Sequence, residues 1–273
     1  MNIVNGGAHA NNSLNIQEFM IRPDGAGSFQ ECMQYGFLTI QNLKKNLLKK
    51  NLSTNVGDEG GFAPNLSSDE EAIELILDSI TQSGFTPGKH ISICLDVASN
   101  ELYDGNKYSI TNNKKLNASE LLKYYQSLVE KYPIKSLEDP VYEDDWLTWT
   151  KLTSLLGDKT QVVGDDLFVT NYDRLSKGIK NVSANSILIK LNQIGTVSET
   201  LRTIELAQNK GFNTIISHRS GDTEDTFISD LAIATKSNQI KTGSLARSER
   251  VAKYNRLLRI EENLKKPGMS EVK

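Results

Sequence analysis

The stretch Ser186-Ile187-Leu188-Ile189-Lys190-Leu191-Asn192-Gln193-Ile194-Gly195 decides how the rest of the chain is read. A short apolar run closed by a lysine has the length and composition of a buried strand that stops at a polar boundary. Lys190 stands at that boundary. Burial between apolar walls would lower its pKa and make it a usable base. A lysine that only leads the chain back into water would look the same in a single strand. The two readings differ in whether other strands end in the same way.

Outward from this run, further strands are read at 91–96, 134–138, 161–164, 213–217 and 239–242, with helical patterns between them. Such alternation implies parallel strands joined by right-handed crossovers. The opening differs. Residues 1–7 read as a strand entering the Gly6-Gly7 turn, and a second extended run at 14–21 follows too soon for a crossover helix, so the pair should be antiparallel. A helix is predicted over about 28–50, amphipathic through Phe29, Met33, Phe37, Ile40, Leu43 and Leu47. A second helix starts at Ser68, with Glu71 at capping-box spacing, and ends at Gly84. Residues 102–110 read as a hairpin around Asp104-Gly105, and Ser119 as the cap of a helix that ends before Pro133. The strand count is eight. The expected fold is α/β: a (β/α)8 TIM-type barrel with a ββαα(βα)6 opening, one domain over 1–273, a usual size for such a barrel.

Composition removes several function classes. The net charge is −3, the pI about 5.8, and no basic tract stands out, so nucleic-acid and membrane-surface binding have no electrostatic support. The longest apolar runs are strand-length, too short to span a bilayer. Cys32 and Cys94 lie far apart without metal-like spacing, and a reducing cytoplasm is the simpler setting.

The strands share how they end. Asp96, Glu138, Asp165, Lys190, His218 and Lys241 each stand at or just past a strand's last residue, once per strand–helix unit apart from the inserted hairpin. In a barrel these ends meet on one face, where active sites are built. Three converging carboxylates without paired cysteines or clustered histidines are hard oxygen ligands suited to Mg²⁺. The same carboxylates could instead be salt-bridged to the two lysines. Arg219 and Ser220, in Ser217-His218-Arg219-Ser220-Gly221-Asp222-Thr223, stand beside an expected helix start and suit a phosphate; an ordinary N-cap would read alike. The Asp58-Glu59-Gly60-Gly61 loop reads as flexible and acidic, able to fold Glu59 over the mouth as a proton donor, or else as a solvated turn. His9, Gln17 and Glu18 are weaker signals.

Taken together, the residues resemble the catalytic barrel of the enolase family, the phosphopyruvate hydratases of glycolysis. The resemblance rests on NGGAHA at 5–10, QEFMI at 17–21, GDEGGFAPN at 57–65, LDVAS at 95–99, SLEDP at 136–140, GDDL at 164–167, IKLNQIGT at 189–196, SHRSGDTED at 217–225 and IKTGSLARSER at 240–250, in family order over nearly the whole chain. It implies the same ββαα opening and a Mg²⁺-dependent lyase that dehydrates 2-phosphoglycerate to phosphoenolpyruvate. Asp96, Glu138 and Asp165 would hold Mg²⁺, Lys190 would take the C2 proton, and Glu59 would protonate the leaving C3 hydroxyl. Arg219 and Ser220 would bind the phosphoryl group and Lys241 the carboxylate region, with His9, Gln17, Glu18 and His218 lining the pocket. It further implies a cytoplasmic enzyme, a homodimer at full length. Family members carry an amino-terminal capping domain with a mobile loop, which this sequence lacks. A fragment or a natural truncation with impaired activity is therefore expected. Another metal-dependent lyase of the superfamily and a non-catalytic binding scaffold are the competing readings.

Overall fold

The computed structural model describes residues 1–110, 114–264, 267–269 and 272. The opening is β1 (Asn2–Asn5), β2 (Glu18–Arg22), α1 (Phe29–Lys49) and α2 (Asp69–Gln82). Then follow β3 (Ser92–Asp96), a short α3 (Ser99–Leu102), a hairpin of β4 (Tyr108–Ile110) and β5 (Lys114–Leu116), and α4 (Ala118–Lys131). The remainder alternates: β6 (Ile134–Glu138), α5 (Trp146–Leu156), β7 (Gln161–Gly164), α6 (Tyr172–Asn181), β8 (Ser186–Ile189), α7 (Leu191–Ile194), α8 (Val197–Asn209), β9 (Asn213–Ser217), α9 (Phe227–Ala234), β10 (Gln239–Lys241) and α10 (Ser248–Asn263).

Eight strands form one sheet in the order β1-β2-β3-β6-β7-β8-β9-β10. β2 runs antiparallel to both β1 and β3, and every later neighbour is parallel. The two edge strands approach each other where the Asn2 N–H donates to Gly243 O at 3.1 Å, just beyond β10. The result is an α/β barrel with a ββαα(βα)6 element order, as the pattern of runs implies.

Period-2 alternation sorts the strand side chains into two environments. Phe19, Ile21, Ile93, Leu95, Leu137, Val162, Ile187, Ile189 and Ile216 belong to the large apolar core that also takes in helix residues such as Leu43, Leu47, Ile73, Ile76, Leu121 and Trp149. Each such side chain contributes about 1.5–3 kcal/mol by leaving water. A separate small apolar cluster holds only Val163, Leu188 and Ile215, which alternate with the core-facing residues of β7, β8 and β9. Met20 and Cys94 add apolar surface on β2 and β3, and the rest of that second set is mostly polar. Glu18, Asp96, Lys190 and Lys241 line a cavity at one end, while Arg22, Ser136, Gln161 and Gln239 line another of about 880 Å³. The barrel thus stands on its outer apolar layer and keeps charge inside.

Several local expectations need correction. The buried face of α1 runs through Cys32, Gly36, Thr39, Leu43, Asn46 and Leu47, and Phe37 is 52 % exposed. A Cβ at Gly36 would lie 2.2 Å from Met1 Sδ, so the Met1 side chain fills the space there, and Phe37, one position on, falls outside the buried stripe. Ser68 caps α2, but Glu71 returns its carboxylate to the Ser67 N–H and hydroxyl, so the box is not reciprocal. Asn117, not Ser119, caps α4, and there the box with Glu120 is complete. Tyr103 and Tyr108 do bridge across Asp104-Gly105, yet the regular ladder pairs β4 with β5. The connection between those two strands lies outside the described residues. β2 begins only at Glu18, because residues 14–17 fold back on the glycine turn, with Gly6 N–H to Gln17 O and Gly7 N–H to Leu14 O. Among the described residues no helix is long and apolar enough to cross a membrane.

Candidate active site

The parallel register aligns the strand ends: Asp96 pairs with Glu138, and Lys241 with Ser217. A cavity of about 160 Å³ opens there, lined by His9, Gln17, Glu18, Glu59, Asp96, Asp165, Lys190, His218, Arg219, Ser220 and Lys241, and also by Asp139 and Asp166. Glu138 does not line it. It sits deeper, where its Oε1 accepts from Lys241 Nζ at 2.8 Å, and it reaches the opposite cavity instead.

Lys241 organises one half of the rim. Its Nζ lies 2.8 Å from Asp96 Oδ2, 2.8 Å from Glu138 Oε1 and 3.0 Å from Glu18 Oε1. Burial disfavours the ammonium, but Asp96, Glu138 and Glu18 outweigh it and hold the Lys241 pKa well above its ordinary value. Burial also opposes the Asp96 carboxylate, yet Lys241 holds that group below its usual range. Glu138 goes the other way, pushed well up by burial and by Asp96. Glu18 rises to about 8, first through burial and then through the neighbouring Glu59.

Lys190 organises the other half. Its backbone N–H donates to Thr170 Oγ1 at 2.9 Å, and its Nζ is hydrogen-bonded to Asp165 Oδ2. The expected lowering of its pKa is not found. Burial does push it down, but the Asp165 carboxylate in contact outweighs burial and raises it. Asp165 is placed by Asp139, whose carboxylate accepts from the Asp165 N–H at 2.9 Å and from the Asp166 N–H at 2.8 Å. Asp139 itself has φ +40°, a left-handed backbone uncommon for any residue but glycine.

Glu59 departs from the expected mobile loop. It is 3 % exposed, and its turn is fixed: Gly60 N–H donates to Gly57 O at 3.1 Å, Gly57 N–H to Gly61 O at 2.8 Å, and Ser244 N–H to Glu59 O at 2.9 Å. Gly60, at φ +84°, lies so close to Ala246 O that a Cβ would stand 2.7 Å away. Asn2 Nδ2 donates to Glu59 Oε2 at 3.2 Å, and His218 Nε2 stands 3.2 Å from Oε1. Arg219 and Ser220 are exposed, but no helix begins beside them. α9 starts only at Phe227, so no helix start places its backbone N–H groups beside Arg219 and Ser220.

Could these residues hold a divalent cation? The donors are hard oxygens, and buried Asp165 Oδ1 and Glu18 Oε2 have no hydrogen-bond partner. Among the described residues, ligand atoms gather within 4.8 Å in two groups, His9–Glu18–Glu59 and Asp139–Asp165–Asp166. Asp96, Glu138 and Asp165 do not form such a group, because Lys241 draws the first two and Lys190 the third. The ion-paired alternative therefore describes the contacts present, while the donor chemistry still fits Mg²⁺. Asp139 and Asp166 were not singled out from sequence, although the doublets Glu138-Asp139 and Asp165-Asp166 were a signal in plain view. Arg250, buried on α10, carried no signal of its own.

Residues 1–271 match the family model described as "Enolase, C-terminal TIM barrel domain". A curated protein of Pelagibacter ubique (strain HTCC1062) named "Enolase" is 62 % identical over 273 residues, which is all of this chain and 65 % of that protein. The chain thus spans slightly less than two thirds of the relative's length.

Proposed function

The chain belongs to the enolase C-terminal barrel family, and from that premise we propose that it carries the Mg²⁺-dependent dehydration of 2-phosphoglycerate to phosphoenolpyruvate. One observation carries the proposal: Lys190 and Glu59 line the same small polar cavity together with the anion-binding candidates Arg219, Ser220 and Lys241. A base, an acid and cations for two acidic groups are what an elimination next to a carboxylate requires.

The chemistry follows from residue type. Lys190 Nζ takes the proton from C2 of the substrate, and the electron pair passes toward the carboxylate. Glu59 gives a proton to the C3 hydroxyl, which leaves as water as the C2–C3 double bond forms. Lys241 offsets negative charge on the substrate carboxylate, and Arg219 with Ser220 holds the phosphoryl group. Mg²⁺ held by Asp96, Glu138 and Asp165 would stabilise charge on the substrate carboxylate and offset the Asp165 charge that now keeps Lys190 protonated. A lysine base beside Mg²⁺ is the general pattern of the superfamily. The loss of a proton next to a carboxylate builds a second negative charge there, so preorganised cations matter more than the base alone. A cytoplasmic enzyme, dimeric at full length, completes the proposal.

The test is turnover of 2-phosphoglycerate with and without Mg²⁺, by this chain and by Lys190→Ala. Removing a general base should lower kcat by about 10²–10⁴-fold. Equal rates in both would overturn the assignment. Calorimetric titration with Mg²⁺ addresses the scaffold reading, which predicts no binding.

A further inference from the structure

Arg250 and Lys253 lie one turn apart on α10 and are 0 % and 1 % exposed. Fully buried cations are rare unless paired, and both of these donate into loops that flank the cavity. Arg250 Nη1 lies 2.6 Å from His218 Nδ1 and donates to Arg219 O at 2.7 Å. Its Nη2 donates to Ser220 O at 2.6 Å and to Asp58 O at 3.4 Å. Lys253 Nζ donates to Thr223 O and, at 2.7 Å, to Glu249 O. One planar group therefore holds the turn that carries Arg219 and Ser220 and the residue preceding Glu59.

A guanidinium stays charged and can only donate. His218 Nδ1 must then accept, so a neutral ring carries its proton on Nε2, 3.2 Å from Glu59 Oε1. An imidazolium would set an Nδ1–H against the guanidinium. The charged groups around the ring are Glu18 on β2, Glu59, Lys241 on β10, and Asp222 and Arg250. Burial keeps the ring well below its ordinary pKa; Glu18 and Asp222 oppose this, and Arg250 and Lys241 reinforce it.

We propose that Arg250 is a positioning residue that fixes His218 as the neutral Nε2–H tautomer and ties the His218–Glu59 pair to the Arg219–Ser220 turn. Glu59 then has Asn2 as hydrogen-bond donor on Oε2, while the imidazole Nε2 faces Oε1 at 3.2 Å. The functional part rests on the proposed role of Glu59, whereas the tautomer is measurable without turnover.

The experiment is ¹⁵N NMR of histidine-labelled chain, which has 3 histidines to assign. One ring should remain neutral with its proton on Nε2 from pH about 5 to 8, the range over which a free imidazole titrates. In Arg250→Met that ring should titrate or become a tautomer mixture, and in Arg250→Lys, which still donates, it should keep Nε2–H. A proton on Nδ1 in the unaltered chain would overturn the proposal, as would an unchanged tautomer in folded Arg250→Met. If Arg250→Met does not fold, Arg250→Gln, which keeps a donor without the charge, takes its place: a ring that then titrates supports the proposal, and one that stays wholly neutral Nε2–H counts against any need for the charge. In turnover, Arg250→Lys should lower kcat by about 10-fold or more through loss of the fork and shift the pH profile of kcat. An unchanged kcat and profile would remove the functional part even where the tautomer holds. Absence of turnover in the unaltered chain would count against the proposed reaction and leave the NMR result to judge Arg250.

Discussion

Two lysines end strands of the same barrel two strands apart, and the rim treats them differently. Lys241, 8 % exposed at its side chain, meets three carboxylates from three other strands. Lys190, 16 % exposed, meets one, and that one has a free buried oxygen. Both have raised pKa values, for the same reason: fixed negative charge outweighs burial. The difference is how much would have to change to reverse the balance. Lys241 cannot give up its proton without leaving Asp96, Glu138 and Glu18 facing one another. Lys190 needs only the charge of Asp165 to be offset, after which burial acts to lower its pKa. Residue type alone does not make a base; the number of committed counter-charges does.

The largest effect should come from breaking the Lys241 side. Lys241→Met leaves buried carboxylates without their shared cation and should cost about 3–5 kcal/mol in urea unfolding. A loss near 1 kcal/mol would mean that the three contacts do not act as a unit. Next is Glu18. Its folded pKa of about 8 lies above the ordinary 4.5, so between those values the folded form keeps a proton that the unfolded form has lost. Its contribution is complete below pH 4.5 and is lost as pH rises through about 8. Without divalent cations, unfolding free energy should fall by a few kcal/mol across that window, and Glu18→Gln should flatten the fall. A slope that Glu18→Gln leaves intact would place the proton uptake on another group.

Asp139→Asn sharpens the comparison from the Lys190 side. An amide can accept from only one of the two N–H groups, at Asp165 and Asp166, and turns a donor toward the other. The expected cost is about 1–3 kcal/mol, with a weaker response to Mg²⁺ measured by calorimetry. Lys190→Met should cost less stability than Lys241→Met, because it takes the cation from one buried carboxylate rather than from three. If the two costs are equal, the contrast between the two sectors fails.

Much of this barrel was legible because its signals are local. A strand such as 186–189 alternates sides within four residues, and Lys190 announces the strand end in the same stretch. The inner apolar cluster of Val163, Leu188 and Ile215 was not legible, since nothing local distinguishes it from the outer core. The exposure of Phe37 was missed for a related reason. A 3.6-residue period marks an apolar stripe, but what α1 packs against decides which of its positions turn inward. Glu59 was read as mobile because acidic glycine-rich turns usually are. Its burial depends on Asn2, Ser244 and His218, all distant in sequence.

The sequence by itself determined the number and order of the strands, their parallel sense after β2, and which charged residues stand at their ends, since each follows from a run of a few residues and the handedness of the connections between them. Only the tertiary structure decided which carboxylates each lysine meets, that Glu138 lies beneath the cavity rather than on it, and that a buried arginine on the last helix joins two loops. Charge pairing falls steeply with distance, and differences of an ångström across a closed barrel are set by how all eight strands pack together.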